Sequence, residues 1–324
     1  MFHNYHTHTF RNHHTVGTER EYIESAIKNG FQTLGFSEHA PYRFPDGHVS
    51  YFHMFPEDLN DYIQTLLTLK AEYAGRIEIL IGYEAEYYPR FFDDLLARIT
   101  QYPVDYLLLG QHYIHNEIDG VYVYEPTDDP EILKVYVNQC IAGLDTGLYT
   151  YLAHPDLIQF TGSESIYRRE MERLCLAAKE RNIPLELNLL GLRANRAYPS
   201  ARFFQIAKDC GSTIVAGIDA HDPDCFFQPE TFAPYQAFVA ECGLTVTDSI
   251  TLRPVVLLKS YPESAGRPRR RPVRGSGRGR RTGAAPYRRR ILPCRRRCRR
   301  GRPGGPCRPH PALQDPLQTR RSPS

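Results

Sequence analysis

Residues 2–8 read FHNYHTH, a short apolar lead that ends in two histidines separated by one residue. Side chains alternate between the two faces of a strand, so this stretch predicts a strand with His6 and His8 on one face. Histidine is the commonest metal ligand and suits zinc and similar ions, which makes the pair a chelating geometry. A single pair of this kind is equally typical of surface histidines, so its meaning depends on the rest of the chain.

The same plan, an apolar run followed by polar residues of ligand type, recurs six times along the chain. These runs cover residues 33–36, 77–81, 104–109, 150–153, 184–190 and 213–218. Amphipathic stretches with helix-start signals lie between them, at residues 18–29, 56–73, 130–145, 163–181 and 200–210. Alternating strands and helices with continuous apolar strands indicate a parallel sheet covered by helices. Seven repeats in one domain predict an α/β fold, a seven-stranded TIM-like barrel rather than an open sheet.

The histidines collect where a barrel of this kind carries its catalytic groups, at the C-terminal ends of the strands. Twelve of the thirteen histidines lie in residues 1–265, and seven of them lie at or just after the end of a predicted strand. These seven are His6, His8, His14, His39, His112, His154 and His221. Ligands that converge on a rigid scaffold indicate a metal site.

Two carboxylates extend this set to nine candidate ligands. Asp219 and His221 repeat the one-residue spacing on the last predicted strand, and Glu84 follows the run at residues 77–81. Nine ligands are too many for one ion and suit two or three divalent ions, with Zn, Mn and Fe equally compatible. Clustered dications bridged by a carboxylate lower the pKa of a bridging water and hold phosphate oxygens. The pattern therefore favours phosphoryl chemistry.

The formal net charge of +3 is the sum of two regions of opposite charge. Residues 266–324 contain 20 arginines, no lysine and one acidic residue, so the formal charge is +19 there and −16 over residues 1–265. This tail is rich in Pro and Gly and lacks apolar periodicity, which predicts a disordered segment after one folded domain of residues 1–265.

Three interpretations of the tail compete. Its arginine runs suit nonspecific contact with nucleic-acid phosphates, or docking on the acidic body. Arg, Pro, Gly and Ala without Lys is also the composition that GC-rich codons give in a wrong reading frame, and we favour the hypothesis of a frameshift product. The coding DNA tests it, because a single insertion or deletion near codon 265 must then restore a plausible ending.

Several other classes of protein are disfavoured. No segment approaches the ~18 apolar residues of a membrane span, and the start lacks the plan of a signal peptide, so we expect a soluble cytoplasmic protein. The eight scattered cysteines form no CxxC pair and are expected to be reduced. Cys175 and Arg181 have the spacing of cysteine phosphatases, but the five residues between them include no glycine to wrap a phosphate. The chain has no Walker A or GxGxxG motif.

Six motifs occur in a characteristic order over residues 1–260. They are His6-Thr7-His8, Glu38-His39, Gly82-Tyr83-Glu84, Gly110-Gln111-His112, Ala153-His154-Pro155-Asp156 and Asp219-Ala220-His221. In this order they resemble the polymerase and histidinol phosphatase (PHP) superfamily, and residues 36–41, 81–87 and 187–193 are similar to its histidinol-phosphatase branch. The resemblance implies a distorted seven-stranded barrel, a trinuclear metal site and hydrolysis of L-histidinol phosphate to L-histidinol and phosphate in histidine biosynthesis.

The resemblance also implies how the nine ligands are shared. The first ion would take His6, His8, Glu84 and Asp219; the second would share Glu84 and add His112 and His154; the third would use His14, His39 and His221. His13 stays an alternative to His14, because a one-residue shift of the loop exchanges them, and Glu86 competes with Glu84. The histidines at positions 3, 48, 53 and 115 match no ligand position and are expected at the surface or the pocket rim.

The expected mechanism is attack of a metal-bridging hydroxide on phosphorus, with Glu84, Asp219 and His221 in the catalytic centre. The departing alkoxide would take its proton from Asp156 or from a metal-bound water.

Arg193, just past a strand end, is the candidate that forks onto the substrate phosphate, unless it is an ordinary loop arginine or pairs with Glu186. Arg43 and Arg196 are weaker candidates of the same kind. The acidic body suits the cationic groups of histidinol and disfavours a polyanion, so nucleic acid is expected to bind only nonspecifically, through the tail. The alternatives are another PHP phosphoesterase such as a nuclease, a nucleic-acid-binding protein led by the tail, and an inactive metal-binding scaffold.

Overall fold

The computed structural model describes residues 2–45, 47–227 and 231–255, so the predicted tail from residue 266 lies outside the described residues. In chain order the strands are β1 (His3–Asn4), β2 (Thr33–His39), β3 (Glu78–Glu84), β4 (Tyr106–Leu109), β5 (Tyr113–Ile114), β6 (Val121–Tyr122), β7 (Tyr149–Leu152), β8 (Leu185–Asn188), β9 (Ile214–Gly217) and β10 (Val246–Thr247). Strands β5 and β6 form an antiparallel hairpin, and the others form one parallel sheet in the order β1-β2-β3-β4-β7-β8-β9-β10.

The parallel sheet curls until its two sides meet. Thr7, beyond β1, forms a parallel bridge with Ala220, beyond β9. There the N–H of His8 donates to Ala220 O at 3.0 Å, and the N–H of Ala220 donates to His6 O at 3.1 Å. The barrel-like α/β fold is as predicted, but the count of seven strands is corrected to eight. The eighth, β10, pairs in parallel with β9 over two residues and was missed because so short a strand gives no apolar run.

The described residues contain eight α-helices. They are α1 (Glu19–Lys28), α2 (Leu59–Glu72), α3 (Phe92–Ile99), α4 (Pro130–Asp145), α5 (Glu164–Glu180), α6 (Leu189–Arg193), α7 (Ala201–Cys210) and α8 (Phe232–Cys242). Thr18 and Glu21 form a capping box at the start of α1, and Gly211 ends α7 with a φ of 68°. The five predicted helices are α1, α2, α4, α5 and α7. Within the described ranges, every helix is too short or too polar to cross a lipid bilayer.

Apolar side chains fill the inside of the curled sheet below the strand ends. This inner core comprises Tyr5, Leu80, Tyr106, Leu108, Tyr151, Ala153 and Val215, with Ile250 and Leu252 packed against it. The Tyr106 hydroxyl donates to Tyr5 O at 2.6 Å, and a Cβ at Gly82 would lie 2.6 Å from the Tyr106 ring. The N–H of Arg253 donates to Thr150 Oγ1 near the start of β7. The segment after β10 therefore closes the N-terminal end of the barrel, and the polar groups lie at the other end.

Two long connections leave the C-terminal ends of β2 and β4 and meet each other. The first, residues 40–58, contains His48 and His53. The second contains the β5–β6 hairpin, with Glu117 between its strands. His48 Nε2 lies 3.0 Å from Glu117 Oε1, so these two connections are joined beside the strand ends.

Candidate metal centre

The strand ends bring the predicted ligands to one place. His39 and Glu84 are the last residues of β2 and β3, where the two are direct neighbours in register. His6 and His8 follow β1 and are fully buried. Because parallel strands end at the same edge of a sheet, residues far apart in sequence meet here.

Glu84 lies at the centre of the cluster, 1% exposed, with five imidazoles around its carboxylate. The distances are 2.6 Å to His154 Nε2, 3.1 Å to His39 Nδ1, 3.4 Å to His6 Nε2, 3.4 Å to His8 Nε2 and 3.7 Å to His112 Nε2. Gly110 leaves room for this carboxylate, because a Cβ there would overlap Glu84 Oε1. Of the two competing glutamates, Glu84 is therefore the one at the centre.

Asp219 faces the same imidazoles from the opposite side of the barrel seam. Its Oδ1 lies 3.2 Å from His8 Nε2 and 3.5 Å from His6 Nε2. The backbone of Asp219 has a φ of 53°, a left-handed conformation that few residues adopt and that is common at functional sites. Asn188 holds the other oxygen, since its Nδ2 donates to Oδ2 at 3.1 Å.

A third group of imidazoles surrounds His221. His221 Nε2 lies 3.1 Å from His14 Nε2, and the His221 ring centroid is 4.4 Å from that of His8. His13 turns away with a φ of 69°, and its ring packs on Phe55 at 4.2 Å. The structure therefore brings His14, and not His13, to the cluster.

The donor set fits divalent cations. Four triplets have ligand atoms within 4.8 Å of one another: His8, His39 and His221; His6, Glu84 and His154; His6, His8 and Asp219; His39, Glu84 and His112. Glu84 Oε2, Asp219 Oδ1 and His39 Nδ1 are buried without an oriented hydrogen bond. Buried polar atoms are rarely left unpaired, and here they converge on shared space, as ligands of a cation do.

Three outer carboxylates hold the far nitrogens of these histidines. Glu186 Oε1 lies 2.7 Å from His6 Nδ1, and Glu38 Oε1 lies 3.3 Å from His8 Nδ1. Glu86 Oε1 lies 2.8 Å from His112 Nδ1. A carboxylate on one ring nitrogen fixes the tautomer and aims the other nitrogen at a metal.

Sequence reasoning missed these supporting roles. The available signal was a charged residue within an apolar strand, as in Leu185-Glu186-Leu187, where all three residues are buried. A buried glutamate in such a strand requires a partner, because an unpaired buried charge is costly.

The central carboxylates stay ionised in spite of their burial. Burial alone would raise the pKa of Glu84 and of Asp219, but the surrounding imidazoles hold both well below the usual range. Burial and the neighbouring His8 lower the pKa of His39 and of His221 well below the normal value. The neighbouring carboxylates instead raise the pKa of His6 well above its normal value, that of His8 to about 9, and that of His154. Metal binding requires neutral imidazoles and ionised carboxylates, so a cation would have to displace protons from these three histidines.

The three arginine candidates have different surroundings. Arg193 ends α6, and its guanidinium lies beside the Cys225 thiol. Burial raises the pKa of this thiol, and the nearby guanidinium offsets part of that rise. Both oxygens of Glu186 face other groups, Oε1 the His6 ring and Oε2 the N–H of His154, and no ion pair joins the described side chains of Glu186 and Arg193, so the alternative pairing is wrong.

Arg196 lies close to the cluster of histidines, and Arg43 lies at the surface. Arg196 Nη1 donates to the hydroxyl of Tyr198 at 3.0 Å, and the Tyr198 ring lies 5.9 Å from that of His154. Arg43 is exposed.

The structure places Asp156 beside the start of a helix. Its Oδ2 accepts the N–H of Ser200, the residue before α7, at 2.6 Å. Burial raises the pKa of Asp156 to about 6. Its hydrogen bond thus supports α7, whereas five of the candidate ligands face the carboxylate of Glu84.

One histidine differs from its expected position. His53 was expected at the surface or the pocket rim, but it is 1% exposed and lies 2.9 Å from Glu86 Oε2 through Nε2, so this expectation is wrong. His115, by contrast, is exposed, with a φ of 63°.

Known proteins match this chain in sequence and in fold. Residues 4–189 match the sequence model of the PHP domain. A probable histidinol-phosphatase from Deinococcus radiodurans is 28% identical over 238 residues, which cover 67% of this chain and 85% of the relative. The histidinol-phosphatase of Bacillus subtilis is 28% identical over 267 residues, 73% of this chain and 98% of the relative.

Among solved structures, the histidinol phosphate phosphatase of Lactococcus lactis, crystallised with zinc, L-histidinol and phosphate, superimposes with a TM-score of 0.60. The identity is 20%, and the match covers 78% of this chain and 97% of the other. At that identity the likeness is one of fold.

Proposed function

The chain belongs to the PHP family, and we propose that it is a metal-dependent phosphomonoesterase that hydrolyses L-histidinol phosphate to L-histidinol and phosphate. The observation that carries this proposal is the convergence of five imidazoles on the buried carboxylate of Glu84. The histidinol-phosphatases among its relatives, matched over most of their length, support the choice of substrate.

The proposed centre holds two to three divalent ions, Zn, Mn or Fe. The first would lie between His6, His8, Glu84 and Asp219, the second between Glu84, His112 and His154, and the third between His14, His39 and His221. Distances of 2.6–3.7 Å between Glu84 and its five imidazoles support a shared carboxylate. When bound, such ions supply a water of lowered pKa and a clamp for the phosphate oxygens.

The chain's own residues bind and orient the substrate. Glu84 and Asp219 contribute the negative charge that holds the centre together, and Glu186 and Glu38 orient His6 and His8. Arg193 is our candidate for the phosphate, because α6 begins directly after β8 and its guanidinium lies beside Cys225, on the connection that follows His221. A planar guanidinium binds two phosphate oxygens at once.

The formal charge of −16 over residues 1–265 suits the cationic end of histidinol and disfavours a polyanionic substrate. The test compares phosphate release from L-histidinol phosphate with cleavage of single-stranded and duplex DNA by the same metal-loaded protein. We expect phosphate release and no DNA cleavage. DNA cleavage without phosphate release contradicts the proposal and favours a PHP nuclease.

A further inference from the structure

A chain of ionisable side chains runs from the surface to His112, where the connections after β2 and β4 meet. In order it consists of His48, Glu117, His53, Glu86 and His112. Only His112 is among the nine candidate ligands. The other four form a continuous polar path through otherwise apolar packing, which calls for a physical reason because buried charges are costly unless they are paired.

The inner half of this path contacts His112 directly. Glu86 is fully buried, with Oε1 2.8 Å from His112 Nδ1 and Oε2 2.9 Å from His53 Nε2. The hydroxyls of Tyr42 and Tyr149 donate to the backbone oxygen of Glu86, so the backbone that carries this carboxylate is itself held. With Nδ1 donating to Glu86, the lone pair of His112 Nε2 is left facing the central carboxylate.

The outer half holds Glu86 in turn. His53 is 1% exposed, and its Nδ1 lies 3.1 Å from Glu117 Oε2 and 3.0 Å from Ser50 Oγ. Glu117 Oε1 lies 3.0 Å from Nε2 of His48, whose side chain is 30% exposed. The His53 imidazole contacts a carboxylate on each side, so each member of the path depends on the next.

His112 needs such support more than the ligands within strands do. It lies three residues beyond the end of β4, on a connection, so the sheet does not fix the direction of its ring. The path ties this connection to the end of β3 and to residues 48–53. Three segments of the chain thus fix the orientation of the His112 ring.

We propose that Glu86, His53 and Glu117 are positioning residues that hold the His112 ring toward Glu84 and so set the affinity of the cation site these two share with His154. The proposal rests on the metal-dependent function proposed above. It predicts that a change at Glu117, which touches no candidate ligand directly, weakens one ion and not the others.

The test uses Co²⁺ as the probe, with its visible absorption and the Co²⁺ content per chain as readouts. Glu86→Gln and Glu117→Gln keep the side-chain size and remove the charge, and Glu125→Gln, exposed on the same connection, is the matched control. In Glu86→Gln we expect one ion to bind roughly 10- to 100-fold more weakly, the usual cost of an outer partner. In Glu117→Gln we expect the affinity for that ion to fall by a smaller factor. In the double variant the affinity falls no further than in Glu86→Gln alone, because both residues act along one path.

Any of three results overturns the proposal. These are an unchanged Co²⁺ affinity in Glu117→Gln, an equal loss of affinity for every ion, and losses that multiply independently in the double variant. Glu117→Gln decides alone if Glu86→Gln does not fold. An unmodified protein that binds no Co²⁺ and releases no phosphate contradicts the proposed function instead, so the two failures are distinguishable.

Discussion

The buried carboxylate of Glu84 faces five imidazoles at distances of 2.6–3.7 Å. We expect Glu84→Gln to lower kcat more than about 100-fold, because even the loss of an outer-shell partner costs roughly 10- to 100-fold. The measurement is steady-state phosphate release, with metal content determined on the same sample.

The control for Glu84→Gln is Glu131→Gln, an exposed change at the start of α4 that should leave both quantities unaltered. A Glu84→Gln protein that keeps its full rate and all its metal would refute the central role of this carboxylate.

Two substitutions at Asp156 distinguish a catalytic from a structural role of this carboxylate. Asp156→Ala removes the acceptor of the half-buried Ser200 N–H and should lower the free energy of unfolding by about 1–3 kcal/mol. Asp156→Asn keeps an acceptor oxygen, so we expect stability and kcat close to those of the parent. Denaturant unfolding and kcat are the measurements. A collapse of kcat in a stable Asp156→Asn protein would instead assign the leaving-group proton to this carboxylate.

At the scale of elements, strands β2, β3, β4, β7, β8 and β9 were predictable because each is a buried apolar run closed by polar residues. Strands β5, β6 and β10 are two residues long and give no such run. The one-residue spacing in His6-Thr7-His8 and Asp219-Ala220-His221 correctly placed two pairs at the seam where Thr7 bridges Ala220. Helices with capping signals, such as α1 with its Thr18 box, were predictable for the same local reason. Helix α6, only five residues long, gave no periodicity to detect.

The polar path to His112 could not be predicted, because it depends on contacts between connections that are distant in sequence. His53 and Glu117 are 64 residues apart and carry no shared pattern. The positions of Asp156 and Arg193 depend likewise on how α7 and α6 pack, which strand periodicity does not specify.

The connection between β8 and α7 supplies two guanidinium groups, and the proposed phosphate contact belongs to Arg193. We expect Arg193→Ala to weaken inhibition by inorganic phosphate by roughly 10-fold, since a hydrogen bond to a charged group contributes about 1.5–3 kcal/mol. Arg196→Ala, in which Tyr198 loses its partner, should change this inhibition less. The reverse order of the two variants would move the phosphate contact to Arg196.

At the scale of the whole molecule, the barrel and the arginine-rich tail should be separable. A chain that ends at residue 265 keeps Ile250, Leu252 and Arg253 at the floor of the barrel, so we expect unchanged activity and stability. A chain that ends at residue 248 loses these contacts and should be less stable by about 2–4 kcal/mol, from the apolar burial lost. Denaturant unfolding measures both.

The tail can be tested in the same pair of proteins. The nucleic-acid-binding alternative would be favoured by two results together. The full chain would bind DNA in a salt-dependent way that is lost on truncation at residue 265, and the barrel would be inactive.

The most direct test of a metal-dependent phosphatase is the rate of phosphate release from L-histidinol phosphate as Zn²⁺ or Mn²⁺ is added back to chelator-stripped protein. We expect no release without metal and a rate that rises to a plateau at two to three bound ions per chain. Full activity of the stripped protein in the presence of chelator would contradict the account.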